Sequence, residues 1–135
     1  MKCDHGQNQI KGCLILLVDD NKDTLDAIRL FLEFRMAKVL SAADGQRGLY
    51  LVARHHPKVI ISDLSMPQMD GYELLEQVRE LAPEEGGDAP MIALTARSDS
   101  EERQKALEAG FARFLIKPVN PDQLVDQICQ VLGPN

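Results

Sequence analysis

Five times after residue 12, a short apolar run gives way to a stretch whose apolar residues recur at helical spacing. That alternation constrains the chain more than any other feature. Strand–helix units in series imply a parallel sheet with helices on both faces. The first run, Cys13 to Val18, is continuously apolar, as expected of a strand buried on both sides. Leu25, Ile28 and Leu32 follow at helical period. Residues 37–42 read as a shorter second strand. Asp44 can cap a helix bearing Leu49, Val52 and Ala53, which must stop before Pro57. Val59 to Ser62 form a third strand. Asp70 and Glu73 make a capping box for a helix with Leu74, Leu75, Val78 and Leu81 on one face. Residues 83–90 are a loop rich in Gly and acid, and Met91 to Leu94 a fourth strand. Ser98 with Glu101 is expected to box the next helix, which offers chiefly Ala106, Leu107 and Ala109 as an apolar face and closes at Gly110. Residues 111–116 form the fifth strand. Asn120, Pro121 and Gln123 open a last helix carrying Leu124, Val125, Ile128, Val131 and Leu132. Five such units commonly take the strand order 2-1-3-4-5, the flavodoxin-like (βα)5 three-layer sandwich.

Composition narrows the function classes. At 135 residues the chain fits one domain; residues 1–12 are expected to be a flexible lead-in and 13–133 the folded unit. It is 44% hydrophobic and 27% charged, with 21 Asp+Glu against 15 Lys+Arg, a net charge of −6. That balance disfavours direct nucleic-acid binding. No apolar run reaches a membrane span, and no signal-like core follows the N-terminus, so a cytoplasmic setting is expected. Cys3, Cys13 and Cys129 lack metal or disulfide spacing, which agrees with a reducing compartment.

The chemistry-bearing residues follow the strands. The first strand ends in Asp19-Asp20, the third in Asp63, the fourth in Thr95 and the fifth in Lys117. In a parallel sheet all carboxyl ends lie on one edge, where ligands bind. Three carboxylates, a hydroxyl and an ammonium therefore converge. Carboxylates so placed repel one another unless a cation sits among them. Hard oxygen ligands without a Cys/His cluster favour Mg²⁺, with Mn²⁺ an alternative, over zinc. Lys117 and Thr95 suit phosphoryl oxygens, and a carboxylate can itself be the nucleophile, giving an aspartyl phosphate.

Leu17-Val18-Asp19-Asp20, Ser62-Asp63-Leu64-Ser65-Met66-Pro67 with Met69-Asp70-Gly71, Ala93-Leu94-Thr95-Ala96 and Phe114-Leu115-Ile116-Lys117-Pro118 together resemble the receiver domain of two-component response regulators, over residues 13–132. The resemblance implies a phospho-accepting signalling function, not an enzyme in its own right. Asp63 is then the phosphoacceptor. Asp20 ligates Mg²⁺ directly, Asp19 mainly through water, and the Ser65 backbone carbonyl completes the shell. Lys117 holds the phosphoryl group, Thr95 and Phe114 form a switch pair, and the peptide before Pro118 is cis. The implied partners are a histidine kinase or histidine phosphotransfer domain and an unnamed downstream protein. Residues 94–124 further resemble receivers attached to hybrid sensor histidine kinases, so a lone receiver and a domain of a hybrid kinase are both open. Ser65 and Arg97 occupy positions that tune phosphoryl lifetime, one leaving water access and the other covering the group.

Competing readings are specific. A Mg²⁺-dependent aspartyl-phosphate phosphohydrolase needs a second Asp two residues after the nucleophile, where this chain has Ser65. A receiver-like interaction module that takes no phosphoryl group would not need the full acid set. Asp19-Asp20-Asn21 after the first strand repels the phosphate of a flavin. Phe114 also reads as an ordinary core residue, and His55-His56 as cations at a helix end.

Overall fold

The computed structural model describes residues 10–96 and 99–133. Strands β1 (Leu14–Val18), β2 (Lys38–Ala42), β3 (Val59–Asp63), β4 (Met91–Thr95) and β5 (Arg113–Ile116) pair in parallel, in the order β2-β1-β3-β4-β5. This is the expected flavodoxin-like arrangement. Helices α1 (Lys22–Phe34), α2 (Gly45–His55), α3 (Gly71–Arg79), α4 (Ser100–Ala109) and α5 (Pro121–Leu132) alternate with the strands.

Alternation along each strand divides the core in two. Leu16, Val18, Ile60, Ala93 and Phe114 pack with residues of α2, α3 and α4, among them Leu51, Val52, Leu74, Val78 and Ala106. Ile15, Leu17, Ile61, Ile92, Leu94 and Leu115 pack on the other face with Leu25, Ile28 and Leu32 of α1 and Leu124, Val125 and Ile128 of α5. Burying one such aliphatic side chain contributes about 1.5–3 kcal/mol, so both faces are needed to hold the sheet. Ile10 is wholly buried in this second layer, and its carbonyl accepts from Cys13 N, so part of the expected lead-in packs on the sheet. Residues 1–9 of the expected lead-in lie outside the described residues.

Local chemistry sets most helix starts as expected. Asp44 accepts from Arg47 N at 2.7 Å and Asn120 from Gln123 N at 2.9 Å. Asp70 and Glu73 form the reciprocal box. Asn21, not anticipated as a cap, accepts from Thr24 N at 3.0 Å. Three expectations need correction. The cap of α4 is Asp99, whose carboxylate accepts from Glu102 N at 2.7 Å; Ser98 lies outside the described residues. The sequence contains two overlapping cap patterns one residue apart, and the carboxylate is the stronger partner for a helix N-terminus. The ladder of β5 starts two residues later than expected, because Gly110 N and Phe111 N are spent closing α4 onto Leu107 and Ala106 carbonyls. Leu107 is 40% exposed and Ala109 is also exposed, leaving Ala106 as the one buried residue of α4.

Gly71 fixes how α3 meets the sheet. Its N–H donates to the Leu64 carbonyl at 3.0 Å, and a Cβ there would lie 2.5 Å from the Asp63 carbonyl oxygen and 2.9 Å from Leu64 Cα. Backbone cannot yield as a flexible side chain does. Gly71→Ala is therefore expected to cost about 1–3 kcal/mol, lowering the melting midpoint by roughly 5 °C or more. An unchanged midpoint would show that the end of β3 is more yielding than its packing indicates.

Candidate functional site

The carboxyl edge of the sheet gathers the expected residues. Asp19 follows β1 directly and continues the ladder through its N–H to the Ala42 carbonyl at 3.1 Å. Its Oδ1 accepts from Asn21 N at 2.9 Å, so the residue that caps α1 also fixes the Asp19 carboxylate. Asp63 is the last residue of β3; its Oδ1 accepts from Ser65 N at 3.2 Å and its Oδ2 from Lys117 Nζ at 3.2 Å. Lys117 Nζ also lies 2.7 Å from Asp19 Oδ2. That contact pairs the ammonium with the buried Asp19 carboxylate. Asp20 is exposed at the mouth, and one carboxylate oxygen from each of Asp19, Asp20 and Asp63 lies within 4.8 Å of the other two.

Thr95 closes β4 and is buried; its carbonyl accepts from Lys117 N at 2.7 Å, which anchors the residue whose side chain reaches the carboxylates. The Lys117–Pro118 peptide is cis. Phe114 lies in register with Ala93, two residues before Thr95 on the neighbouring strand, and its ring is buried in the layer with α2, α3 and α4. It is thus a packing residue in this state, one diagonal step from Thr95. Ser65 is exposed beside the site. Arg97 lies outside the described residues. His55 and His56 are both exposed, and His56 adopts a positive φ of 53° where α2 ends, a place for terminating a helix.

The electrostatics are unbalanced. Among the described residues, three carboxylates face one ammonium. Burial first, then the charge of Asp19, raises the Asp63 pKa; the Ser65 N–H and Lys117 oppose this without cancelling it. Burial depresses the Lys117 ammonium, but its contacts with Asp19 and Asp63 outweigh that and raise its pKa. Clustered carboxylates in excess of the ammonium that faces them are what a small divalent cation would satisfy. The donor set is all oxygen, which fits Mg²⁺ or Mn²⁺.

A raised Asp63 pKa carries a stability consequence. The folded state holds that proton more tightly than the unfolded chain, whose value is about 3.9. The stabilisation is complete below that pH and is lost as pH rises through the folded value. Without metal, Asp63→Asn is therefore expected to melt roughly 2–6 °C above the unsubstituted protein at pH 7, with the gap closing toward pH 4. Melting curves in a chelator at both pH values check this; a gap that widens on acidification would reverse the sign.

Two residues that the sequence motifs contain without an assigned structural role are tied by the structure to this edge. Asn21 is legible in retrospect as an Asx cap after the acidic pair. Gly71 is legible as a Gly opening a helix against a strand end.

Comparison with known proteins gives a consistent result. Residues 15–129 match the family model for the response regulator receiver domain. An uncharacterized 14.6 kDa protein of Leptolyngbya boryana is 45% identical over 124 residues, 90% of this chain and 93% of that protein. The transcriptional regulatory protein KdpE of Mycobacterium tuberculosis is 35% identical over 115 residues, 85% of this chain but 49% of its own length. The chain likewise spans about half of the other transcriptional regulators it matches. The crystal structure of the receiver domain of sensor histidine kinase PA1611 from Pseudomonas aeruginosa superposes with a TM-score of 0.82 at 31% identity, covering 91% of this chain and 99% of that one. That structure holds a magnesium ion coordinated in its active site cleft.

Proposed function

The chain belongs to the response regulator receiver domain family, and we propose that it accepts a phosphoryl group on Asp63 from a histidine kinase or histidine phosphotransfer domain and relays it as a change of protein-interaction surface. Receiver domains are signalling modules of two-component systems. The observation that carries the reading is the shared ammonium: Lys117 bridges Asp19 and Asp63 at 2.7 and 3.2 Å, with Asp20 completing an acidic mouth.

Asp63 is the nucleophile. One of its carboxylate oxygens forms the O–P bond while the P–N bond of the donor phosphohistidine breaks, its electron pair returning to the imidazole. Transfer of this kind needs chiefly positioning and charge neutralisation. The Ser65 N–H and the strand end position Asp63. Lys117 loses part of its hold on Asp63 and takes a phosphoryl oxygen instead. The Thr95 hydroxyl supplies a second donor, which draws it inward and frees space for Phe114. Asp19, Asp20, Asp63 and the Ser65 carbonyl would hold Mg²⁺, which supplies charge neutralisation for the incoming phosphoryl group. Residues 13–133 carry the strands, helices and site, with Ile10 packed against them, and the unit works in the cytoplasm. The net charge of −6 favours protein partners over nucleic acid for this chain. No helix among the described residues is long and apolar enough to cross a membrane.

Incubation with acetyl phosphate and Mg²⁺ is expected to add one phosphoryl mass per chain, labile to hydroxylamine as acyl phosphates are. No uptake from acetyl phosphate or from a phosphorylated histidine kinase would overturn the reading.

A further inference from the structure

Helix α4 is held to the body by little apolar surface, since Ala106 is its one buried residue. Polar and aromatic contacts from Tyr72 supplement that hold. Tyr72 is the second residue of α3, immediately after the glycine whose backbone packs on the Asp63 carbonyl. The Tyr72 hydroxyl donates a hydrogen bond to Glu102 Oε2, in the first turn of α4. One helical turn on, Lys105 Nζ sits 4.6 Å from the centroid of the Tyr72 ring. The edge of the same ring pair meets Phe111, just past α4, with centroids 5.9 Å apart and planes at 85°. Tyr72, Glu102 and Lys105 line a cleft together with Asp70 and with residues 64–67, the loop leaving Asp63.

One side chain therefore grips α4 at its start, at its middle and beyond its end, from a helix rooted at the end of β3. A charge-assisted hydrogen bond and a cation over an aromatic face are both stronger than their neutral counterparts. Neither depends on apolar fit, so both can break without opening the core. We propose that Tyr72 is a latch on α4: its bond to Glu102 and its ring beneath Lys105 hold α4 in its resting position and oppose the rearrangement that follows phosphorylation. The second half of this statement rests on the Asp63 reading above; the first does not.

The test separates the two. Tyr72→Phe removes the hydroxyl and keeps the ring. In the chain without phosphate, it is expected to speed amide exchange over residues 103–109 about tenfold, leaving β1 and β3 unchanged. Glu102→Ala should do the same, the double variant should add nothing further, and Glu102→Gln, which keeps an acceptor but loses the charge, should fall between the unsubstituted rate and that of Glu102→Ala. Exchange in α4 unaltered by Tyr72→Phe, or effects that simply add in the double variant, would overturn the latch. Its opposition to switching predicts several-fold faster phosphorylation of Tyr72→Phe by acetyl phosphate; looser α4 with an unaltered labelling rate would refute that part. If no chain were labelled at all, the Asp63 reading would fall, while the exchange comparison would still decide whether Tyr72 holds α4.

Discussion

Asp63→Asn is expected to abolish phosphoryl incorporation from acetyl phosphate, a fall of at least about a hundredfold in the initial rate with Mg²⁺ present. An amide has no carboxylate oxygen to form the acyl phosphate, and the two neighbouring carboxylates are placed differently. Asp19 is 2% exposed, with one oxygen held by Asn21 N and the other facing Lys117. Asp20 is exposed, without a resolved contact to the ammonium that would neutralise an arriving phosphoryl group. Asp63 ends β3, between the strands that lead to Asp19 and to Thr95, with one oxygen held by Ser65 N and the other 3.2 Å from Lys117. The Asn variant should stay folded, because its metal-free melting point is expected to rise. Intact mass measured before and after hydroxylamine reads the result directly. Labelling of the Asn variant at the unsubstituted rate would place the acceptor on another residue.

How much of this was legible in the chain depends on the range of the interaction concerned. The strand order and the gathering of Asp19, Asp20, Asp63, Thr95 and Lys117 at one edge follow from local periodicity and from the rule that parallel strands share a carboxyl edge. Helix starts were legible where a single cap pattern exists, as at Asp70, and misread where two overlap, at Ser98 and Asp99. The start of β5 was misjudged because Phe111 is apolar enough for a strand, yet its N–H is committed to Ala106. Leu107 looks like a core residue by type, but it lies about 100° around the helix from Ala106 and points out. The placement of Lys117 nearer Asp19 than Asp63 depends on the reach of a long side chain among three carboxylates. No sequence pattern encodes it. Tyr72 was passed over for the same reason: its partners are 30 or more residues away and carry no periodicity with it.

Asp20→Asn should remove most of the response to Mg²⁺ while leaving the fold intact. In the unsubstituted protein a cation that binds only the folded state stabilises it by mass action, about 2.7 kcal/mol at a hundredfold excess over Kd. For a domain of this size that corresponds to an upward shift of the melting midpoint on the order of 5–10 °C. Asp20 is the exposed member of the acidic group, whereas Asp19 and Asp63 are buried. Replacing it removes an anionic ligand and one of the repelling charges together. Without metal the variant should therefore melt at or slightly above the unsubstituted protein, and with saturating Mg²⁺ it should gain less than a quarter of the normal shift. The two signs separate a ligand from a structural residue. A merely structural Asp20 would lower the metal-free midpoint and leave the Mg²⁺ increment unaltered. Equal increments in both proteins would move the cation away from Asp19, Asp20 and Asp63. The charge imbalance around Lys117 would then have to be met by protonation of Asp63 alone.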